Sequence, residues 1–314
     1  GTLLEITGGS ITHNITQTGW GAAIYTFGNT VTLTDVVARN NRAGGAGGAY
    51  AFLDQAVVTV GGGVVRDNQA VIGAGGGMIV RSSTGTVTST EFTGNVCELR
   101  GGGIQIIGSA ALTLNNLAVS NNECVQDGGG LGIFDQASVT MTGGVVDNNR
   151  STAATGGGMS RNSTGTLTVT GTRFTNNRAQ TQGGGLQLNG ATASTLRNVT
   201  VSGNTAVTSG GGGLTVGGAA LLIENSTISG NTSNGTGGGV FSSSTANTTI
   251  RNSTISGNSG VIGGGIGATG TATLQNVTFV ANTATTFGGG IGSNNATGSV
   301  STVNVLLSGN LQVS

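Results

Sequence analysis

One phrase recurs along the whole chain: an Asn, a short polar segment, and then a run of glycines. The recurring Asn residues are Asn14, Asn41, Asn68, Asn95, Asn122, Asn149, Asn177, Asn204, Asn231, Asn258, Asn282 and Asn310. Most steps between them are 27 residues, and the exceptions are 24 and 28. Nine of them are followed, seven to nine residues later, by the last Gly of an intact triplet. A fixed period over the whole length predicts a solenoid, in which each repeat stacks on the next.

Within a repeat, apolar residues alternate with polar ones at a period of two, which is typical of strands with one buried face. In the seventh repeat, Leu167 and Val169 flank Thr168, Phe174 marks a second inward position, and Leu186 follows the glycine triplet as a third. Three short strands per turn, joined by bends, predict an all-β fold. Because parallel crossovers are right-handed by strong preference, we expect a right-handed parallel β-helix of about twelve rungs, with residues 1–314 as a single β-helix domain.

Stacking places each repeated residue on its copy in the next turn. We therefore expect the recurring Asn side chains to form a hydrogen-bonded ladder, and we interpret this ladder as structural rather than ligand-binding. The glycines are expected where the backbone needs a positive φ or where two segments pack closely. The charged residues Arg197, Glu224 and Arg251 occupy one outward column and are predicted to pair with one another.

The two cysteines, Cys97 and Cys124, are one 27-residue step apart. Both stand two residues after a ladder Asn, where other repeats have alanines such as Ala43 and Ala70. One turn of separation predicts Cα atoms about 4.8 Å apart, which is within disulfide range. Two alternatives stay open: a disulfide, or two thiols that simply replace Ala in a buried column.

Charge is scarce, because only 7% of residues are charged, the formal net charge is zero, and there is no Lys. A nucleic-acid partner would need a basic face, so we predict none. No apolar run approaches the roughly 18 residues of a membrane helix, so we expect no membrane insertion by this segment. No recurring Asp column of the calcium-binding kind exists, so we predict neither a metal nor a cofactor.

The paired phrases GGx[ILV] and FxxN, as in residues 101–104 and in Phe92…Asn95, resemble the repeats of the chlamydial polymorphic membrane proteins. The phrase NSTISGN at 225–231 and 252–258 resembles β-helical repeats of very large bacterial surface proteins. The resemblance covers the whole chain, although most of the chlamydial Phe positions are missing. It implies an extracellular or cell-surface protein used for adhesion or as a stalk. The implied partners are a host or neighbouring-cell surface, a glycan, or its own copies end to end.

A carbohydrate-active enzyme, either a polysaccharide lyase or a glycosidase, is the alternative, and it would need clustered carboxylates. Asp54 and Asp135 share a position in the repeat but lie three turns apart, roughly 14 Å at the spacing of stacked strands. Glu98 and Glu123, in neighbouring turns, are the nearest candidates. His13 has no matching partner for catalysis.

Glu98 and Glu123 can also be interpreted as part of a local patch of salt bridges. Arg100 and Asp127 share one position of the repeat in the same region. A lesser alternative is ice binding, because outward Thr residues recur in rows such as Thr30-Thr32-Thr34 and Thr166-Thr168-Thr170. Thr also suits exposed strand positions, and charged residues break the array.

We therefore predict no catalytic residues and a non-enzymatic extracellular structural or adhesive β-solenoid: a surface stalk, an adhesin passenger or a fibre subunit. The repeat phase runs from Asn14 to Asn310 without a capping pattern. Uncapped solenoid ends expose unpaired strands, so we expect the segment to belong to a longer repeat protein or to stack end to end.

Overall fold

The computed structural model describes residues 2–218, 220–293 and 298–313. Within these residues the chain forms strands and bends but no helix, and strands of successive turns pair in parallel, as Thr32 does with Thr59. One of the resulting sheets has 11 strands and another has 12, so the described chain makes about 11 turns. The fold is the right-handed parallel β-helix that the period predicts. The described part of the chain includes no helix long and apolar enough to span a membrane.

Each early turn contains four short strands, so the expectation of three strands per turn was wrong for these turns. The first and second strands of the turns join one 21-stranded sheet, the third strands form the 12-stranded sheet, and the fourth strands form the 11-stranded sheet. The strand that the sequence pattern missed is the third, which directly follows the ladder Asn. In most turns it is only two residues long, as at Val96–Cys97, and two residues are too few to show an alternation.

The first and second strands of the turns are separate up to residue 229 and then merge. The first strands are Leu3–Thr7, Thr30–Thr34, Val57–Gly61, Thr84–Thr88, Ala111–Asn115, Ser138–Thr142, Leu167–Thr170, Ser194–Arg197 and Ala220–Glu224. The second strands are Ser10–Thr12, Val37–Arg39, Val64–Arg66, Glu91–Thr93, Ala118–Ser120, Val145–Asp147, Arg173–Thr175, Thr200–Ser202 and Thr227–Ser229. The merged strands are Asn247–Ser256, Thr271–Val280 and Ser299–Ser308.

The other two strands of each turn lie on either side of the glycine triplet. The third strands are Ile15–Thr16, Arg42–Ala43, Gln69–Ala70, Val96–Cys97, Glu123–Cys124, Arg150–Ser151, Arg178–Ala179, Thr205–Ala206, Thr232–Ser233, Ser259–Ile262, Thr283–Phe287 and Leu311–Gln312. The fourth strands are Ile24–Phe27, Tyr50–Leu53, Met78–Arg81, Ile104–Ile107, Leu131–Asp135, Met159–Ser163, Leu186–Leu188, Leu214–Val216, Val240–Ser242, Ile266–Ala268 and Ile291–Ser293.

Residues with positive φ form the corners between strands. Asn116, Asn198 and Asn225, which lie between a first and a second strand, have φ of 52°, 53° and 52°. A second corner lies immediately before each ladder Asn, as at Asn121 and Asn148, with φ of 54° and 51°. Asn tolerates this left-handed conformation better than most residues, which explains its recurrence at both corners.

The interior of the solenoid is a continuous stack of apolar side chains. One buried cluster runs from Ile24 to Phe279, with Ile6, Val300 and Val305 packed against it. The inward positions predicted from the alternation are buried as expected; Phe174 in the second strand, for example, is 0% exposed. Burial of these columns is the main favourable term for a fold of this kind.

The three glycines of a triplet meet different constraints. Gly101 has φ of +66°, a conformation that residues with a side chain rarely adopt. A Cβ added to Gly102 would lie 2.2 Å from the carbonyl oxygen of Gly129 in the next turn. A Cβ on Gly103 would lie 3.1 Å from Nδ2 of the ladder residue Asn122. The triplet therefore lets one turn approach the next and leaves room for the Asn ladder.

The side-chain amides in the interior of the ladder, from Asn41 to Asn282, make four hydrogen bonds each. Oδ1 of Asn149 accepts from the backbone N–H of Asn122 at 3.0 Å and from its Nδ2 at 2.9 Å. Nδ2 of Asn149 donates to Oδ1 of Asn177 at 3.0 Å and to the carbonyl oxygen of Val119 at 2.8 Å. Both donors and both acceptor lone pairs of the amide are therefore used.

This pattern repeats along the ladder from Asn41 to Asn282, and these Asn side chains are at most 1% exposed. At the ends, Asn14 is exposed and Asn310 is half-buried. A buried amide with all its partners adds stability, whereas removing it leaves several buried groups without partners. The ladder is therefore a row of side-chain bonds that joins each turn to the next.

We expect Asn149→Ala to lower the free energy of unfolding by several kcal/mol, about 1–3 kcal/mol for each buried group that loses its partner. Asn149→Asp should also destabilise, because it keeps the acceptor but removes both donors and buries a charge. Urea unfolding measures both changes. Asn14→Ala, at the exposed end of the ladder, is the control and should shift stability by less than about 0.5 kcal/mol. Equal shifts for Asn14→Ala and Asn149→Ala would contradict the role of the ladder.

Candidate functional site

The structure places Cys97 and Cys124 opposite each other in adjacent third strands. Their Cα atoms are 4.8 Å apart, and a disulfide joins the two side chains. Ala70 occupies the same column one turn earlier, and it forms a small apolar cluster with both cysteines. The disulfide therefore lies within a column that alanine fills in other turns.

Two acidic residues of this region, Asp127 and Glu123, lie close to arginines of neighbouring turns. Asp127 Oδ2 lies 3.6 Å from Arg100 Nε, and Glu123 Oε2 lies 3.7 Å from Arg150 Nη1. The strand register places Val96, not Glu98, opposite Glu123. Glu98, in the bend that follows Val96–Cys97, is therefore two residues out of register with Glu123. This region is a patch of surface ion pairs, each worth about 0–1 kcal/mol when exposed.

The other acidic pair is separated as the spacing predicts. Asp54 accepts two hydrogen bonds from Arg81 of the next turn, from Nε at 3.2 Å and from Nη2. Asp135 accepts a hydrogen bond from the backbone N–H of Gly108 at 3.2 Å. His13, at a positive-φ corner, contacts Asn40 Nδ2 at 3.4 Å. Each of these residues has a local structural contact in its own part of the solenoid.

The charge column contains the predicted partners. Glu224 lies between Arg197 and Arg251, with N–O distances of 2.9 and 2.8 Å. The central Thr column is also present, because Thr32, Thr59 and their copies pair from turn to turn. The columns beside it are interrupted, for example where Thr30 pairs with Val57.

Arg161 is a buried charge that the sequence analysis missed. It occupies an inward position of a fourth strand, where its neighbours in the column are Ile133 and Leu188. Its guanidinium donates to Ser194 Oγ at 2.9 Å and to the carbonyl oxygen of Thr192 at 3.1 Å. Burial lowers the pKa of Arg161. These hydrogen bonds hold the corner at Thr192 and Ser194 against the core, so the role of Arg161 is structural.

A groove crosses the outside of the first five turns. It lies between the fourth strands and the loops that follow the third strands. We call it the aromatic groove and define it by Trp20, Tyr25, Leu99, Gln105 and Gln126. It consists of three depressions of about 500, 330 and 250 Å³. Trp20 borders the first and second, and Leu99 borders the second and third.

Aromatic and charged side chains form the first part of the aromatic groove. Trp20 packs on the small cluster of Ala46, Ala51 and Ile79. The guanidinium of Arg81 lies 5.1 Å from the centre of the Trp20 ring system. A Cβ on Gly45 would lie 2.3 Å from Trp20 Cδ1, so the glycine makes room for the indole. Tyr25, on the adjacent fourth strand, is 55% exposed.

The middle and far parts of the aromatic groove differ in polarity. Ile72 and Leu99, which line the middle, are 70% and 38% exposed. At the far end Gln105 is buried, yet neither Nε2 nor Oε1 of its amide has a hydrogen-bond partner. Arg100 also lines this end, with its guanidinium 4.4 Å from the ring centre of Phe134. A row of apolar and polar contacts suits an amphipathic ligand.

The aromatic groove was not predicted, although the sequence contains a signal for it. Trp20 is the single Trp of the chain, and it lies in a loop position that other repeats fill with smaller residues. An unusual residue in a regular repeat indicates that the surface of that turn differs from the surface of its neighbours. Its partner Arg81 is distant in sequence and occupies a different position of the repeat. The repeat spacing alone therefore does not predict that Trp20 and Arg81 are in contact.

Comparison with known proteins supports the architecture. A family model described as a right-handed β-helix region matches residues 154–310, which is half of the chain. No curated protein and no solved structure matches. Among the residues that the structure describes, no group of three or more His, Cys, Asp or Glu side chains is placed to hold a metal ion.

We expect the Cys97–Cys124 disulfide to stabilise the protein by roughly 3–4 kcal/mol, the loop-closure value for a 27-residue loop. The double variant Cys97→Ala/Cys124→Ala isolates the cross-link, since alanine fits this column in other turns. Chemical denaturation with and without reductant measures the effect. Reductant should lower the free energy of unfolding of the wild type and leave that of the double variant unchanged. Alkylation of both cysteines in unreduced protein would contradict the disulfide.

Proposed function

The chain belongs to the right-handed β-helix family, and we propose that it is a non-enzymatic, extracellular β-solenoid with a structural and adhesive role. In this role it acts as a surface stalk, an adhesin passenger or a fibre subunit. The family fold serves both enzymes and non-enzymes, so the assignment depends on the surface of this chain rather than on its fold.

The observation that carries the non-enzymatic role is the pairing of carboxylates with arginines. Asp54, Asp127, Glu123 and Glu224 each lie within 4.0 Å of an Arg from an adjacent turn. A glycosidase needs one carboxyl group that can carry a proton, together with a second about 5–9.5 Å away. A neighbouring guanidinium competes for the carboxylate oxygens that would act in catalysis. These four carboxylates are therefore engaged in contacts between turns.

Two further features support an extracellular location and a role in adhesion. The Cys97–Cys124 disulfide is suited to an oxidising compartment, because disulfides persist outside the cytosol. The aromatic groove offers exposed apolar surface of the kind that marks interaction sites. Stacked turns joined by side-chain ladders provide a stiff rod on which such a site can be displayed.

The alternative is a carbohydrate-active enzyme that would use the same groove, since Asp54 and Asp127 lie beside it through Arg81 and Arg100. We expect no turnover when purified protein is incubated with pectin, alginate and bacterial polysaccharides, because Asp54, Glu123 and Asp127 of this protein each face an arginine and Glu98 is out of register with Glu123. The assay measures reducing ends and unsaturated products, with a known pectate lyase as the positive control. Robust turnover that disappears on Glu98→Gln, Glu123→Gln or Asp54→Asn would overturn the non-enzymatic assignment.

A further inference from the structure

We propose that the aromatic groove is a binding site for a neutral glycan chain that lies along the axis of the solenoid. This inference rests on the proposed adhesive function and names its ligand class. The groove extends over five turns, which is roughly 19 Å at a spacing of about 4.8 Å per turn. It is therefore long enough for several sugar units rather than one.

The first part of the groove has the chemistry that a pyranose ring requires. A sugar presents C–H groups on its faces and hydroxyl groups around its edge, so it packs on aromatic rings and forms hydrogen bonds at its rim. Trp20 and Tyr25 line the same depression of about 500 Å³ and supply the rings. Their ring N–H and hydroxyl groups add polar atoms beside the apolar surface. Arg81, oriented by Asp54, supplies further donors at the rim.

The far part of the groove supplies unused hydrogen-bonding capacity. Gln105 is 0% exposed, and its amide has no partner in the part of the chain that the structure describes. Buried polar groups are nearly always paired, so an unpaired amide beside a depression of about 250 Å³ requires a partner from outside the chain. A sugar hydroxyl, which both donates and accepts, would supply this partner once the Gln105 side chain turns into the depression.

Charge balance favours a neutral ligand over an anionic one. The two arginines that border the groove, Arg81 and Arg100, are paired with Asp54 and Asp127. An anionic glycan would therefore meet one carboxylate for each guanidinium. A neutral glycan meets no such repulsion, because the paired groups still donate and accept hydrogen bonds.

The backbone argues against an extended peptide as the ligand. Peptides that add to a sheet need an edge with unpaired N–H and C=O groups. Along the groove, the fourth strands Tyr50–Leu53, Met78–Arg81 and Ile104–Ile107 are each paired with both neighbouring turns. These strands therefore have no free edge, and the mixture of rings, aliphatic groups and amides along the groove matches a sugar chain.

The experiment uses Trp20 as an internal reporter, because it is the single Trp of the chain. Cellohexaose, maltohexaose, xylohexaose, mannohexaose and chitohexaose are the neutral probes, and hexagalacturonate is the anionic comparison. Titration of the whole chain should shift the Trp20 emission with at least one neutral hexasaccharide, and hexagalacturonate should bind at least about tenfold more weakly.

Three variants locate the binding. Tyr25→Ala should weaken binding roughly tenfold through the lost ring contact. Gln105→Leu should weaken binding roughly fivefold while leaving thermal stability equal or higher, because an unpaired buried amide is replaced by an apolar group. Phe287→Ala is the matched control: Phe287 is also an exposed aromatic residue, in a third strand far from the groove, and its loss should leave affinity within about twofold.

Two results would overturn the groove assignment: no change in Trp20 emission with any neutral hexasaccharide, or equal affinities for Tyr25→Ala and Phe287→Ala. Preference for hexagalacturonate would overturn the neutral ligand class. The same samples are chromatographed for shorter products. Cleavage would contradict the non-enzymatic function while leaving the binding site in place, so the two failures are distinguishable.

Discussion

Hydrogen bonds between the Asn side chains of successive turns fix the register of the solenoid. Each interior amide, such as Asn149, uses both its donors and both its acceptor lone pairs, and three of its four contacts reach residues of adjacent ladder positions. A shift of one residue in any turn would leave several buried groups unpaired, so the register is strongly specified. The glycine triplet depends on the same constraint, since Gly103 packs against the amide of Asn122.

Once the register is set, the residues at each position of the repeat form a column along the solenoid. Each column therefore favours side chains that pack well against copies of themselves in the adjacent turns. Apolar residues fill most inward positions, with Arg161 as an exception, and small residues fill the column of Cys97 and Cys124, so the disulfide replaces alanine without disturbing the backbone. Opposite charges alternate at Arg197, Glu224 and Arg251. Specific recognition has to come from departures from this regularity. The loops after the third strands hold such departures, and the aromatic groove lies between these loops and the fourth strands.

The period and the alternation were sufficient to predict the fold, the inward positions and the adjacency of the cysteines, because each follows from stacking at a fixed step. The two-residue third strand was not predictable, because Val96–Cys97 is too short to show a pattern. The aromatic groove escaped for a different reason. Its parts, such as Trp20 and Arg81, come from different turns and different repeat positions, so their contact depends on where long side chains lie on the surface.

The most direct test of the central constraint is amide exchange of the Asn side chains, followed by NMR in D₂O. Asn148 and Asn149 are a matched pair, because the first is exposed at a corner and the second is buried in the ladder. If the ladder joins the turns, the side-chain amide protons of Asn149 should exchange at least about 100-fold more slowly than those of Asn148. Exchange of both side chains at the rate of free asparagine would contradict the ladder and the register built on it.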